Sequence, residues 1–140
     1  MRKHVEKLTE KELLPYVPYE VLVTKEEWDN YLKVVIVKSI PYNVYEIYPE
    51  AVLVLKAKLI LHPMSDLEKV IKHNGKSLSF SKFYLSETEL ITIKNCLEFK
   101  FNLLNNISAS VFNRLCEYHF DVFGLIPRGL ALDYNTQPEN

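Results

Sequence analysis

The stretch Ser110-Val111-Phe112-Asn113-Arg114-Leu115-Cys116-Glu117-Tyr118-His119-Phe120-Asp121-Val122-Phe123, closed by Gly124, decides the reading of this chain. At roughly 100° per residue, positions 111, 112, 115, 116, 122 and 123 gather within an arc of about 140°, while Asn113, Arg114, Glu117 and Asp121 face the other way. The spacing predicts an amphipathic helix that begins near Ser108 or Ser110. It stops at Gly124, whose missing side chain suits the left-handed position after a helix, and Pro127 forbids its continuation. A face this wide has to be covered, and the preceding residues offer strands to cover it.

The upstream chain opens with Thr9 and Glu12 at capping-box spacing, and Pro15 and Pro18 end that first helix within one or two turns. A short strand is expected over Glu20–Val23. Thr24–Leu32 fits either a second capped turn, through Thr24 and Glu27, or a hairpin connection. Val34-Val35-Ile36-Val37 is too β-branched for a comfortable helix, so Tyr31–Ile40 is read as a strand closed by Pro41. Tyr42–Tyr48 suits another strand. Over Ala51–Leu61 every odd position is apolar and the even ones include Lys56 and Lys58, which predicts a long strand with one wet face, with a helix as the alternative for its first half. Ser65 and Glu68 predict a short helix over Asp66–Lys72, Asn74-Gly75 a tight turn, and Ser77–Tyr84 an extended segment. Between Glu89 and Phe101 the signals conflict: Ser86 and Glu89 cap a helix, whereas Ile91-Thr92-Ile93 favours a strand. The expected fold is α+β, an antiparallel sheet packed against the C-terminal helix with short capping helices beside it. The odd-numbered face of Ala51–Leu61 is the expected partner of Val111, Leu115 and Val122.

A chain of 140 residues with 48% hydrophobic and 25% charged residues is read as a single soluble domain over 1–140, with 136–140 as a flexible tail. Seventeen basic residues against 18 acidic ones give a net charge of -1, which argues against duplex DNA as the main partner. Lys56, Lys58, Lys69, Lys72 and Lys76 nevertheless concentrate in the middle of the chain. Cys96 and Cys116 are expected as free buried thiols, not as a spaced ligand pair. Lys56 and Lys58 interrupt the strongest apolar run and no leader-like segment follows Met1, so no membrane span is expected and a reducing cytosol is the expected setting.

Candidate chemistry is sparse. His119 falls near the centre of the predicted arc, where an unpaired ring is costly; it needs a backbone or tyrosine partner, or else serves as a buried acid–base group or ligand. Cys116 and Asp121 do not complete a metal triad with it on one helix, and a zinc site would require His62, His73 or Cys96 brought close by the fold. Asp66, Asp121, Asp133, Glu46 and Glu50 could form a carboxylate cluster, but nothing in their spacing forces proximity, and capping accounts for Asp66. No Gly-x-Ser-x-Gly elbow or glycine-rich phosphate loop is present, so no catalytic residue, metal or cofactor is assigned. For binding, Tyr42, Tyr45, Tyr48 and Tyr118 supply aromatic anchors, and the tail carrying Arg128, Asp133 and Tyr134 is suited to lie across a neighbour. Lys56, Lys58, Lys72, His73 and Lys76 form the alternative, a single-stranded nucleic-acid surface, which requires lysines and tyrosines to share one face.

Three islands in order, Leu14-Pro15-Tyr16-Val17-Pro18-Tyr19, then His62-Pro63-Met64-Ser65-Asp66-Leu67 with Ile71-Lys72-His73-Asn74-Gly75, then Glu117–Ile126 leading into Gly129–Thr136, cover about a quarter of the chain. In these it resembles a set of small proteins carried by phages and prophages of Bacteroidota. It departs from the set at Ile126-Pro127-Arg128, where an acidic residue is more usual. The resemblance implies a mobile-element origin and a cytoplasmic site of action, and assigns no activity, cofactor or catalytic residue.

The leading expectation is therefore a non-enzymatic accessory protein that binds a host or phage protein, in its more specific form an inhibitor of a bacterial defence system. The runner-up is a virion or head-to-tail assembly component, located in the virion and using self-association into a homo-oligomer. The third reading is a single-stranded nucleic-acid binder or nuclease.

Overall fold

Lys58–Leu61 (β4) is the strand to which the distant parts of the chain attach. The structure, a computed structural model, describes residues 7–28, 30–35, 46–73 and 75–137. Leu59, Ile60 and Leu61 are all buried, the signature of a strand covered on both faces. One edge of β4 pairs antiparallel with Leu22–Thr24 (β1), the other parallel with Ala131–Asp133 (β7). β1 pairs antiparallel with Leu32–Val34 (β2), as the hairpin reading of the intervening segment requires, and β2 pairs parallel with Glu46–Ile47 (β3). The order is β3-β2-β1-β4-β7, beside a separate hairpin of Val70–His73 (β5) and Lys76–Ser79 (β6). The fold is α+β, but the sheet is mixed where an antiparallel one is expected. Both outer pairings are parallel, and a parallel pair needs a long crossover that leaves no local turn signal.

Helix starts follow the capping chemistry closely. Thr9 Oγ1 accepts from the Glu12 amide at 3.3 Å and Glu12 Oε1 accepts from the Thr9 amide at 3.1 Å, starting Glu10–Leu13 (α1). The prolines then tighten Leu14–Tyr19 into a 3₁₀ turn. Ser86 and Glu89 reciprocate in the same way (3.1 and 2.8 Å) at the head of Glu87–Phe99 (α4), so the conflict there resolves to helix. Ser108 Oγ accepts from the Val111 amide at 3.2 Å and starts Ala109–Glu117 (α5).

The pattern misleads in three places. Ala51–Leu61 is not one strand: Pro49–Leu55 (α2) is a helix led by Pro49 at its first turn, Lys56 turns left-handed at φ 56°, and only Lys58–Leu61 is extended. With nearly every residue apolar, period two and period 3.6 both fit. The predicted helix over Asp66–Lys72 is instead a 3₁₀ turn at Met64–Asp66 followed by β5, because Val70 to His73 pair with β6 across the turn at Gly75. The segment Ser77–Tyr84 is extended only through Ser79, then helical over Phe80–Tyr84 (α3).

The C-terminal helix is also shorter than its spacing predicts. α5 ends at Glu117, with Val111, Leu115 and Cys116 buried, and it packs on the Leu14–Tyr19 turn. His119 takes φ 60°, and the chain becomes extended. There the His62 amide donates to the His119 carbonyl (2.7 Å) and the Asp121 amide to the His62 carbonyl (2.9 Å), a parallel bridge that continues β4. Gly124, at φ 68°, turns the following loop, whose Leu125 and Ile126 amides donate to the buried Asp121 carboxylate at 2.7 and 2.8 Å. The apolar arc thus comes partly from this loop, where Phe120, Val122 and Leu125 are buried in the same core. The Tyr16 hydroxyl pins it by donating to the Phe120 carbonyl (2.5 Å) and accepting from the Val122 amide (3.1 Å). Among the described residues no helix is long and apolar enough to cross a membrane.

Candidate functional site

Because β4 and β7 run parallel, with Leu61 opposite Asp133, the residues that follow both strands emerge at one end of the sheet. Loops at the carboxyl ends of parallel strands are where ligand sites tend to form. From β4 come His62 and the turn bearing Asp66; from β7 comes the turn Tyr134–Thr136, capped by Asp133 Oδ1 accepting from the Asn135 amide at 2.8 Å. The two turns are tied by Asn135 Nδ2, which donates to Asp66 Oδ2 at 2.7 Å, and Lys69 Nζ lies 3.3 Å from Asp66 Oδ1. His62 and Asp66 are each 3% exposed. The ring of Tyr134, 41% exposed, lies over His62 at 4.4 Å between centroids. A cleft of about 710 Å³ opens here, lined also by Tyr31, Lys72, Val70 and Gln137.

The electrostatics of the cleft base are set by burial. Desolvation pushes the His62 imidazole down to about 4, with the Asp66 and Asp133 carboxylates pulling back and His73 adding to the shift. The ring is neutral at physiological pH, and its Nδ1 has no hydrogen-bond partner among the described residues. Behind it sits an aromatic cluster: His73 lies 4.5 Å from Tyr118 and 5.0 Å from His119, and Phe80 contacts both Tyr118 and Phe120. His119 Nε2 is 2.8 Å from the Tyr19 carbonyl, and burial holds this ring near 4 as well. The Cys116 thiol is pushed up to about 12 by burial, so it stays protonated. Among the described residues no group of three His, Cys, Asp or Glu is placed to hold a metal ion.

Of the partner-binding candidates, Asp133 and Tyr134 lie at this cleft. Arg128 reaches back to Glu12 Oε2 at 2.6 Å, and Tyr118 is buried with its hydroxyl 2.6 Å from that of Tyr84. Tyr48 stands at the N-cap position of α2 with no side-chain capping bond, while Tyr42 and Tyr45 lie outside the described residues. The lysine set divides. Lys56 and Lys58 line a different cleft with Trp28, Lys72 joins the His62 cleft, and His73 turns from it toward Tyr118 because alternate residues of β5 face opposite sides. Lys76 is exposed on β6.

A second surface is absent from the sequence reading. Six of the eleven exposed large apolar side chains among the described residues fall between Phe83 and Leu104. Phe83 is 70%, Phe99 58% and Phe101 60% exposed, and the rings of Phe99 and Phe101 are in contact at 5.9 Å. The only signal for it is that α4 carries apolar residues beyond the face that Ile93 and Cys96 bury. No known family model, curated protein or solved structure matches the chain.

Proposed function

We propose that this chain is a non-enzymatic binding protein, an accessory protein of a phage or mobile element that captures a host or phage protein in the cytoplasm, as an inhibitor of a defence system does. The observation that supports it is the pair of exposed aromatic rings Phe99 and Phe101, in contact at 5.9 Å. Large aromatics left in water at one part of a fold act as anchors for partner proteins. The charged residues of α4 are Glu87, Glu89 and Glu98 against Lys94, and Lys94 is already held by Glu68 at 2.9 Å. Lys100, exposed between Phe99 and Phe101, adds a positive charge at the anchors themselves, so the match expected of a partner is apolar pockets and not one sign of charge.

The test uses the double variant Phe99→Glu/Phe101→Glu. Wild-type chain is expected to form a complex with one discrete host or phage protein that can be rebuilt from purified components. The variant, folded with an unchanged melting temperature, is expected to bind it at least tenfold more weakly. Equal binding by the variant, or a wild-type chain that only self-associates, refutes the proposal.

A further inference from the structure

The cleft at the ends of β4 and β7 is separate from the aromatic surface, and its chemistry is different. It brings Tyr31 and Tyr134 together with Lys69 and Lys72 around a base formed by His62 and Asp66. Tyr134 is held in place from below by the His62 ring, and Tyr31 by its hydroxyl donating to Gln137 Oε1 at 3.2 Å. Such rings offer faces for stacking, while the ammonium groups of Lys69, 71% exposed, and of Lys72 offer charge for an anion. Between these extremes the cleft presents one polar edge, the side-chain amide of Asn135 that Asp66 fixes, while the buried His62 ring lies beneath Tyr134 and supports it. At about 710 Å³ it falls within the range of small-molecule sites.

A ligand matching this set carries a planar ring with hydrogen-bonding edges and a negative group a few bonds away. A divalent cation does not match, since both Asp66 oxygens are engaged and one faces Lys69. A phosphorylated serine or threonine uses the lysines and leaves the tyrosine faces idle, and a phosphotyrosine ring brings no hydrogen-bonding edge to meet the Asn135 amide. We infer that this cleft binds a nucleotide unit, stacking its base on the exposed face of Tyr134 and pairing its phosphate with Lys72 and Lys69. The unit comes either as a free mononucleotide or as one residue of a single strand; duplex DNA keeps its bases stacked and out of reach.

Calorimetric titration of the full chain at low ionic strength decides it, with AMP, UMP, adenosine, inorganic phosphate and an oligothymidylate as probes. A mononucleotide is expected to saturate one site and to bind more tightly than adenosine or phosphate. Tyr134→Ala should weaken it about tenfold through lost stacking. Lys72→Gln should weaken it and reduce its dependence on ionic strength. Phe99→Glu should leave it unchanged, so failure here and failure of the protein-binding proposal are separate results. Tighter binding of the oligothymidylate than of the mononucleotide identifies a single strand as the source, and equal or weaker binding identifies the free nucleotide. The inference is overturned by no saturable binding up to about 1 mM, by phosphate binding as tightly as the nucleotide, or by indifference to Tyr134→Ala. Since Tyr134 and Lys72 are both exposed, neither variant threatens the fold.

Discussion

Replacing His62 by phenylalanine should blunt the protein's sensitivity to mild acid by an amount set by the burial of this one ring. His62 is neutral in the folded state because burial lowers its proton affinity, from 6.5 in the open chain to about 4. Between these limits the unfolded chain binds more protons than the folded one, so unfolding free energy rises with pH. The stability is fully present above pH 6.5 and is lost as pH falls toward 4. The interval corresponds to about 3 kcal/mol in full, of which about 2 kcal/mol is lost by pH 5. Phenylalanine keeps the ring contacts with Phe120 and Tyr134 (5.5 and 4.4 Å in the wild type) and removes the unpartnered Nδ1. Urea unfolding of both proteins at pH 8 and pH 5 gives the comparison, with His73, His119 and Asp121 common to both. The variant should lose about 2 kcal/mol less than the wild type over this range. Identical pH dependence in the two proteins refutes the reasoning, whatever the variant's absolute stability.

Two further predictions concern the frame. Tyr16→Phe removes the hydroxyl that bridges the Phe120 carbonyl and the Val122 amide, which keep their own 2.9 Å bond to each other; it should cost about 1–2 kcal/mol in urea unfolding, and a loss below about 0.5 kcal/mol contradicts that role. Lys100 ends α4 at φ 57°, a conformation that strains a side-chain-bearing residue, so Lys100→Gly should raise stability by about 0.5–1 kcal/mol in the same assay, and a loss of stability argues against it.

The elements readable in the sequence are those specified by neighbouring side chains. Thr9 with Glu12, Ser86 with Glu89, and Ser108 each satisfy amides within three residues, so the signal for those helix starts is local, although Ile91-Thr92-Ile93 leaves the second open and the same spacing at Ser65 and Glu68 starts no α-helix. The elements that escaped are specified from far away. β7 pairs with β4 across some seventy residues, and α5 stops where His119 and Asp121 bond to His62. In Ala51–Leu61 apolar residues fit two periodicities and tertiary contacts choose between them, and at Val70–His73 pairing with β6 overrides the capping spacing upstream. The cleft shows the same division. Asp133 and Tyr134 stand out as residues of an unusual tail, whereas the pairing of Asp66 with Asn135, 69 positions apart, has no local trace.

The hydroxyl of Tyr16 joins residues 104 and 106 positions further along, which has a consequence for how the molecule reaches its native state. Local contacts alone cannot form this core; a loop of most of the chain must close before Phe120 and Val122 meet their partner. Closing so long a loop is entropically costly and slows the search. Refolding should therefore run in milliseconds to seconds, not microseconds, and during that interval the aromatic groups of residues 83–104 face other chains as well as water. Loss of soluble chain during refolding should therefore rise with chain concentration.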